Sequence, residues 1–402
     1  MNFNNNRYVD KIFSKEEICA ATQLLTKGLK NSWELNIIFE EKFAKYYGCN
    51  YALACTNGTM AMEEALWACG VKSGDEIIAP IMTYWASAYP ALKFGAKIRY
   101  VDIDPETLCI SPEDIKRKIT SKTKAIIVVH LYGHPCDMDE IIEIASNNNI
   151  KIIEDFSHAH GALYKGKKVG TIGDVGVASC MGEKAFYLPE GGILCTNSKD
   201  IYEKSCLYGH YRHLGIREHL EKKEGTVLRD DWEDLIGAPL GAVKNRMNPM
   251  SVVIGIERLD SFDAYLEELT MSMNYFIEKL EESGFYKGHV IRDRNCSMGG
   301  WYSPVIFSEK NTKKLSKAIR LKGIECFSGH KYFKLDEHPI NNFDFFRENL
   351  TDYHSLDSNK ESFKGMEESN SKIISIPSFS RFNKKIIDEY VAVYISAAEE
   401  VE

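Results

Sequence analysis

Short runs of branched and small apolar residues alternate along the first half of this chain with stretches whose apolar positions recur at helical spacing. That alternation limits the fold more than any other feature. Residues 51–55, 75–80, 98–101, 124–129, 150–154, 175–180 and 193–196 read as strands, and 34–47, 60–68, 112–119 and 138–145 as helices. Residues 82–96 read as a turn and helix opened by Tyr84 and Trp85. Residues 124–129 are almost purely branched, the pattern of a strand buried on both faces of a parallel sheet. Repeated strand–helix units call for an α/β fold with a doubly wound, mostly parallel sheet. Ligands of such sheets bind beyond the C-terminal strand ends, so Thr59, Tyr84, Asp155 and Lys184 are expected around one crevice.

The chain has 402 residues, enough for two domains. The expected division is a polar N-terminal arm over 1–14, a large α/β domain over 15–250 and a smaller C-terminal α+β domain over 251–402. A long helix over 250–283 carries the chain into the small domain, which is expected to hold a strand at 302–307 and helices at 312–322 and 384–399. Residues 209–236 read as a long surface loop and 341–370 as a polar, mobile one. The net charge of −8 argues against nucleic acid or an anionic membrane as partner. No signal-peptide core and no run of about 18 apolar residues is present, so the chain reads as cytoplasmic. The eleven cysteines form no CxxC pair and read as reduced thiols, many of them core fillers.

Four features carry chemistry. Lys184 lies between two core strands in a turn rich in breakers, Gly182, Pro189, Gly191 and Gly192. It is either a surface cation or a desolvated amine able to attack a carbonyl. Residues 56–59 form a glycine-containing turn between a strand and a helix. It either cradles a phosphate at the helix N-terminus or merely caps the helix. Asp155 ends a buried strand, either as a turn cap or as a carboxylate for a ring nitrogen. Tyr84 offers an aromatic plate. An imine-forming lysine, an acid beside a pyridine nitrogen, an anion cradle and an aromatic plate are together what pyridoxal phosphate needs.

The segments TNGTMAMEEAL, KAIIVVHLYGHPCDMDEI, IIEDFSHAHGALYKGKKVGTIGDVGVASC, the K…EGG turn and NRMNPM carry a closer likeness. With them the chain resembles the DegT/StrS sugar aminotransferases, fold-type-I enzymes that use pyridoxal phosphate. The resemblance covers nearly the whole chain and is strongest over 50–200. It implies that Lys184 is the imine lysine and proton carrier, that Asp155 meets the ring nitrogen, and that His158 lies by the cofactor's phenolate side. It implies that Thr59, the Met60 backbone N–H and Ser179 hold the phosphate and that Tyr84 stacks on the ring. Asn245 would reach the phosphate of a neighbouring subunit's cofactor, giving a homodimer with shared sites.

The implied reaction moves an amino group from glutamate or glutamine to a keto-sugar or keto-cyclitol. Dehydratases of the family typically carry His where this chain has Lys184, which favours amino transfer. A dehydratase, or a relative that binds the cofactor without turnover, is the alternative. Pro189 replaces a glycine of the family's loop, which puts that loop's backbone and its contact with substrate in question.

No metal is expected. His130 and His134 have a zinc-like i,i+4 spacing, but Gly133 and Pro135 break any helix there. The glycines at 170, 173 and 176 precede a strand instead of opening a helix, so they do not read as a dinucleotide fingerprint. Arg212, Arg246 and Arg381 could each hold an anion, and none is singled out. Trp301 and Tyr302 read equally as pocket lining or as core.

Overall fold

In the computed structural model, residues 8–9, 13–27, 32–210, 241, 243–330, 333–337 and 362–401 are described. The centre is a seven-stranded sheet in the order Tyr51–Cys55, Gly192–Thr196, Val175–Ser179, Lys151–Asp155, Thr123–Val129, Glu76–Pro80, Lys97–Val101. Six strands run in one direction, and Gly192–Thr196 is antiparallel to both neighbours. Side chains alternate across the pleat. Ile126 and Val128 therefore enter one hydrophobic core while Ala125, Ile127 and Val129 enter the other. Burial on both faces is why these strands read as unbroken apolar runs.

Helix Gly58–Ala68 belongs to the second core, through Met62, Ala65 and Leu66. Helices Ser32–Tyr47 and Pro249–Glu282 cover the first, through Phe39, Phe43, Phe262 and Phe276. The C-terminal part adds the antiparallel pair Val305–Phe307 and Ile373–Ser375, with helices Thr312–Leu321 and Lys384–Glu399. Among the described residues no helix is long and apolar enough to cross a membrane.

The structure departs from the sequence reading in four places. Residues 82–96 hold two 3-10 turns, Trp85–Ser87 and Tyr89–Phe94, in place of a regular helix. The second stops at Gly95, which takes φ 71°. The arm contains a strand, Tyr8–Val9, paired in parallel with Ser378–Phe379. Part of the segment read as a polar loop is helix Lys364–Lys372. Asp102 accepts the backbone N–H groups of Gly365 and Met366 at 2.7 and 2.9 Å, so a side chain 263 residues from Gly365 caps a largely polar helix. The strand read at 302–307 begins only at Val305, because Trp301 and Ser303 lie in the left-handed region. The loop expected over 209–236 falls outside the described residues, apart from 209 and 210.

Candidate active site

The C-terminal strand ends converge as expected. Cys55, Ser179 and Gly192 are register partners across the top of the sheet. Backbone meets backbone there so closely that side chains are excluded. A Cβ on Gly192 would lie 2.3 Å from the Asn57 carbonyl, and one on Gly58 would lie 2.8 Å from Cβ of Ser179. Gly58 and Thr59 open helix Gly58–Ala68, and the first N–H groups of a helix have no acceptor inside it. The positive end of this helix dipole therefore lies among small residues, an arrangement that favours an anion in the space before it. The Met60 N–H does not face this space: it donates to Asn57 Oδ1 at 2.9 Å, the N-cap bond. Ser179 lies against the start of this helix, its N–H donating to Ser157 Oγ at 2.8 Å.

Lys184 follows strand Val175–Ser179 and is 6% exposed. The sequence reading took its surroundings for a turn of breakers, but the residues after the lysine are an anchor. Ala185, Phe186, Tyr187 and Leu188 are all buried. Phe186 packs edge-on to Phe262 at 5.0 Å and near Phe39 and Phe43. The loop is closed by Leu188 N–H to Cys180 O at 2.7 Å and Cys180 N–H to Gly191 O at 2.8 Å. Pro189 is exposed between these bonds, so its missing N–H leaves the loop's closure intact. Burial drives the Lys184 amine down to about 7, against the opposing pull of Asp155, Glu183 and Cys180. An amine in that range is about half neutral at pH 7, and the neutral fraction is nucleophilic.

Asp155 ends strand Lys151–Asp155. Its Oδ2 accepts from Ser87 Oγ at 2.7 Å and its Oδ1 from the Ser157 N–H at 3.0 Å, which fixes the carboxylate plane. Ser87 was missed by sequence reasoning and carries no motif; only the sheet topology brings it to Asp155. The neighbouring Glu154 is wholly buried and structural. It accepts the N–H groups of Gly170, Ile172 and Gly173 at 2.6–2.8 Å and pairs with His130. The glycine run at 170–176 is therefore a nest for a carboxylate of the same chain.

His158 lies beside Lys184. Burial, and then the charges of Lys184, His330 and His160, hold its imidazole well below its ordinary value, so it is neutral. Its ring packs 4.4 Å from Tyr302. Tyr84 is 45% exposed at the crevice mouth, with Trp85 at 5.2 Å and Phe333 edge-on at 6.4 Å.

Asn245, expected to reach the phosphate of a neighbouring subunit's cofactor, is hydrogen-bonded within its own chain. It is fully buried and turned into its own chain. Its Oδ1 accepts from the N–H and Oγ of Thr56, both at 2.9 Å, and its Nδ2 donates to Glu64. A buried carboxylate needs donors, and Asn245 and His210 supply them to Glu64. The residues on either side face outward instead. Lys244 and Arg246 line a cavity of about 520 Å³ together with Thr56, Asn57 and Glu190. Of the three arginines considered from sequence, Arg212 lies outside the described residues and Arg381 is exposed.

The DegT/DnrJ/EryC1/StrS aminotransferase family matches residues 11–393. The chain is 42% identical over 228 residues to GDP-perosamine synthase of Escherichia coli O157:H7, covering 57% of this chain and 58% of that protein. It thus spans less than two thirds of the length of the perosamine synthases it matches. It is 31% identical over 304 residues to GDP-4-keto-6-deoxy-D-mannose 3-dehydratase of E. coli O55:H7, covering 72% of this chain and 76% of that protein. Among solved structures, the aminotransferase from Psychrobacter cryohalolentis matches with a TM-score of 0.82 at 25% identity, covering 97% of this chain and 98% of that one.

Proposed function

The chain belongs to the DegT/DnrJ/EryC1/StrS aminotransferase family, and from that premise we propose that it transfers an amino group from glutamate or glutamine to a nucleotide-linked keto-sugar with pyridoxal phosphate as cofactor. One observation carries the reading: a lysine amine buried to the point of losing its proton near pH 7 stands in the same crevice as an oriented carboxylate. The side chains fit the cofactor. Lys184 supplies the amine for its aldehyde and Asp155 the charge for its ring nitrogen, while Gly58, Thr59 and Ser179 border the space for its phosphate. Tyr84 and His158 flank the ring. When bound, pyridoxal phosphate supplies an electron sink for carbon–nitrogen chemistry.

The chain's own residues do the rest. Asp155, held by Ser87 and Ser157, keeps its negative charge aimed at one point. Lys184 Nζ gives and takes a proton at the carbon that gains or loses nitrogen, and an amine near 7 suits that task. Neutral His158 can donate or accept a hydrogen bond without adding charge. Lys244 and Arg246 offer two cations to a phosphate at the cavity beside Asn57, and a guanidinium binds such a group bidentately. The cofactor belongs to a large domain over 15–250, which a smaller one over 251–402 covers through Tyr302. The working form is a cytoplasmic homodimer, and no nucleic acid or membrane partner is involved.

The discriminating experiment supplies a panel of nucleotide-linked 3-keto and 4-keto sugars, and keto-cyclitols, with glutamate or glutamine. The product should gain one nitrogen by mass, at the expense of the donor. A product that instead loses a hydroxyl without gaining nitrogen would make the protein a dehydratase, like its relative from E. coli O55:H7.

A further inference from the structure

The Lys184 amine lies 3.3 Å from the centroid of the Tyr302 ring, a close cation–π contact. Tyr302 comes from the C-terminal part of the chain and is held on several sides. Its hydroxyl is 3.3 Å from Glu183 Oε2, its ring packs on His158, and its backbone N–H approaches the His158 carbonyl at 3.4 Å.

The backbone around it is strained. Trp301 and Ser303, the residues on either side, adopt φ 45° and 48°, a region that side chains other than glycine rarely enter. The preceding glycines are pressed against the 158–162 loop. A Cβ on Gly300 would lie 2.5 Å from His160 N, and one on Gly299 2.4 Å from Ala162 N. Two unfavourable conformations flanking one side chain persist only where the surroundings impose them. Here their effect is to aim one ring at one amine.

We infer that Tyr302 is a positioning residue that receives the Lys184 amine whenever it is not bonded to the cofactor. This rests on the function proposed above. In amino transfer the lysine must leave the cofactor when the donor nitrogen arrives, and return once per cycle. A lysine has four rotatable side-chain bonds, and the ring face gives its amine one resting place. The groups facing Lys184 are Asp155, Glu183 and Cys180, which favour its proton, with neutral His158 and the Tyr302 ring. The ring adds attraction for the ammonium that an aliphatic side chain of similar bulk lacks.

The test uses the full-length protein loaded with pyridoxamine 5'-phosphate, so that Lys184 is not bonded to cofactor. Acetylation of the Lys184 peptide is followed across pH by mass spectrometry. In Tyr302→Leu the midpoint should fall by about half to one pH unit, a three- to tenfold change in proton affinity. In Tyr302→Phe it should stay at the wild-type value. If Tyr302→Leu does not fold, Tyr302→Met serves with the same expectation. A structural role alone would admit water and leave the midpoint unchanged or raise it, and either result overturns the proposal. In steady state the Leu variant should lose kcat while KM for the amino donor stays within about twofold. Pyridoxal phosphate should protect Lys184 from acetylation in every variant. Loss of that protection would sink the cofactor reading, whereas protection with an unmoved midpoint would sink only the role of Tyr302.

Discussion

At the scale of single residues, burial and hydrogen bonds set the charges on which the proposed chemistry depends. Asp155→Ala should lower kcat by about 10²- to 10³-fold, the usual cost of removing one preorganised electrostatic partner. Near wild-type turnover in that variant would remove Asp155 from the ring-nitrogen role. Below the cradle, His210 and Glu64 are both buried, with Nε2 3.2 Å from Oε2. Burial pulls the His210 imidazolium down, but the Glu64 carboxylate outweighs it and the net shift is upward. A histidine that holds its proton more tightly when folded contributes its full stability below the ordinary value of 6.5 and loses it as pH rises through the raised value. The melting temperature should therefore decline with pH above about 6.5, and His210→Gln should flatten that decline; an unchanged slope would contradict the pairing. Lys184, Asp155 and Tyr84 were legible in sequence because each follows an apolar run at a strand end. Ser87 was not, and Tyr302 was legible only as pocket lining or core, since their contacts are made across the fold. The intrachain partners of Asn245 were not legible either, because the need of buried Glu64 for a donor leaves no trace in local pattern.

At the scale of elements, the lysine loop is held by helices distant in sequence. Arg258, on helix Pro249–Glu282, pairs with Glu17 at 2.8 Å and lies 3.3 Å from the Tyr187 ring centroid, three residues after Lys184. Glu17 also closes a capping box with Ser14 at the start of helix Lys15–Lys27. Arg258→Ala strands a buried carboxylate and should cost about 3–5 kcal/mol of unfolding free energy in denaturant titration. A loss below about 1 kcal/mol would show that the pair does not brace the loop. The parallel strands and the long helix were readable from periodicity, because each buries a regular face. Helix Lys364–Lys372 was not: its cap is Asp102, and no sequence window contains both.

At the scale of the whole molecule, Lys244 and Arg246 face out of the chain beside the cradle, which suits a surface completed by a second copy. The protein of 45.7 kDa should sediment as a species of twice that mass. A monomer that remains fully active would contradict the shared-site reading. The doubly wound architecture was legible because six strands of one direction demand crossover helices, and those leave the βα alternation in the sequence. The close packing of residues 299–301 against Gly133 was not legible, since it rests on backbone contacts such as Gly133 with Gly299.

The central claim is that Lys184 is the amine that holds the cofactor's aldehyde. Borohydride reduction of the protein loaded with pyridoxal phosphate, followed by peptide mapping, tests it most directly. The pyridoxyl adduct is expected on Lys184 alone, with none in Lys184→Ala. An adduct on another lysine, with Lys184 unmodified, would contradict it.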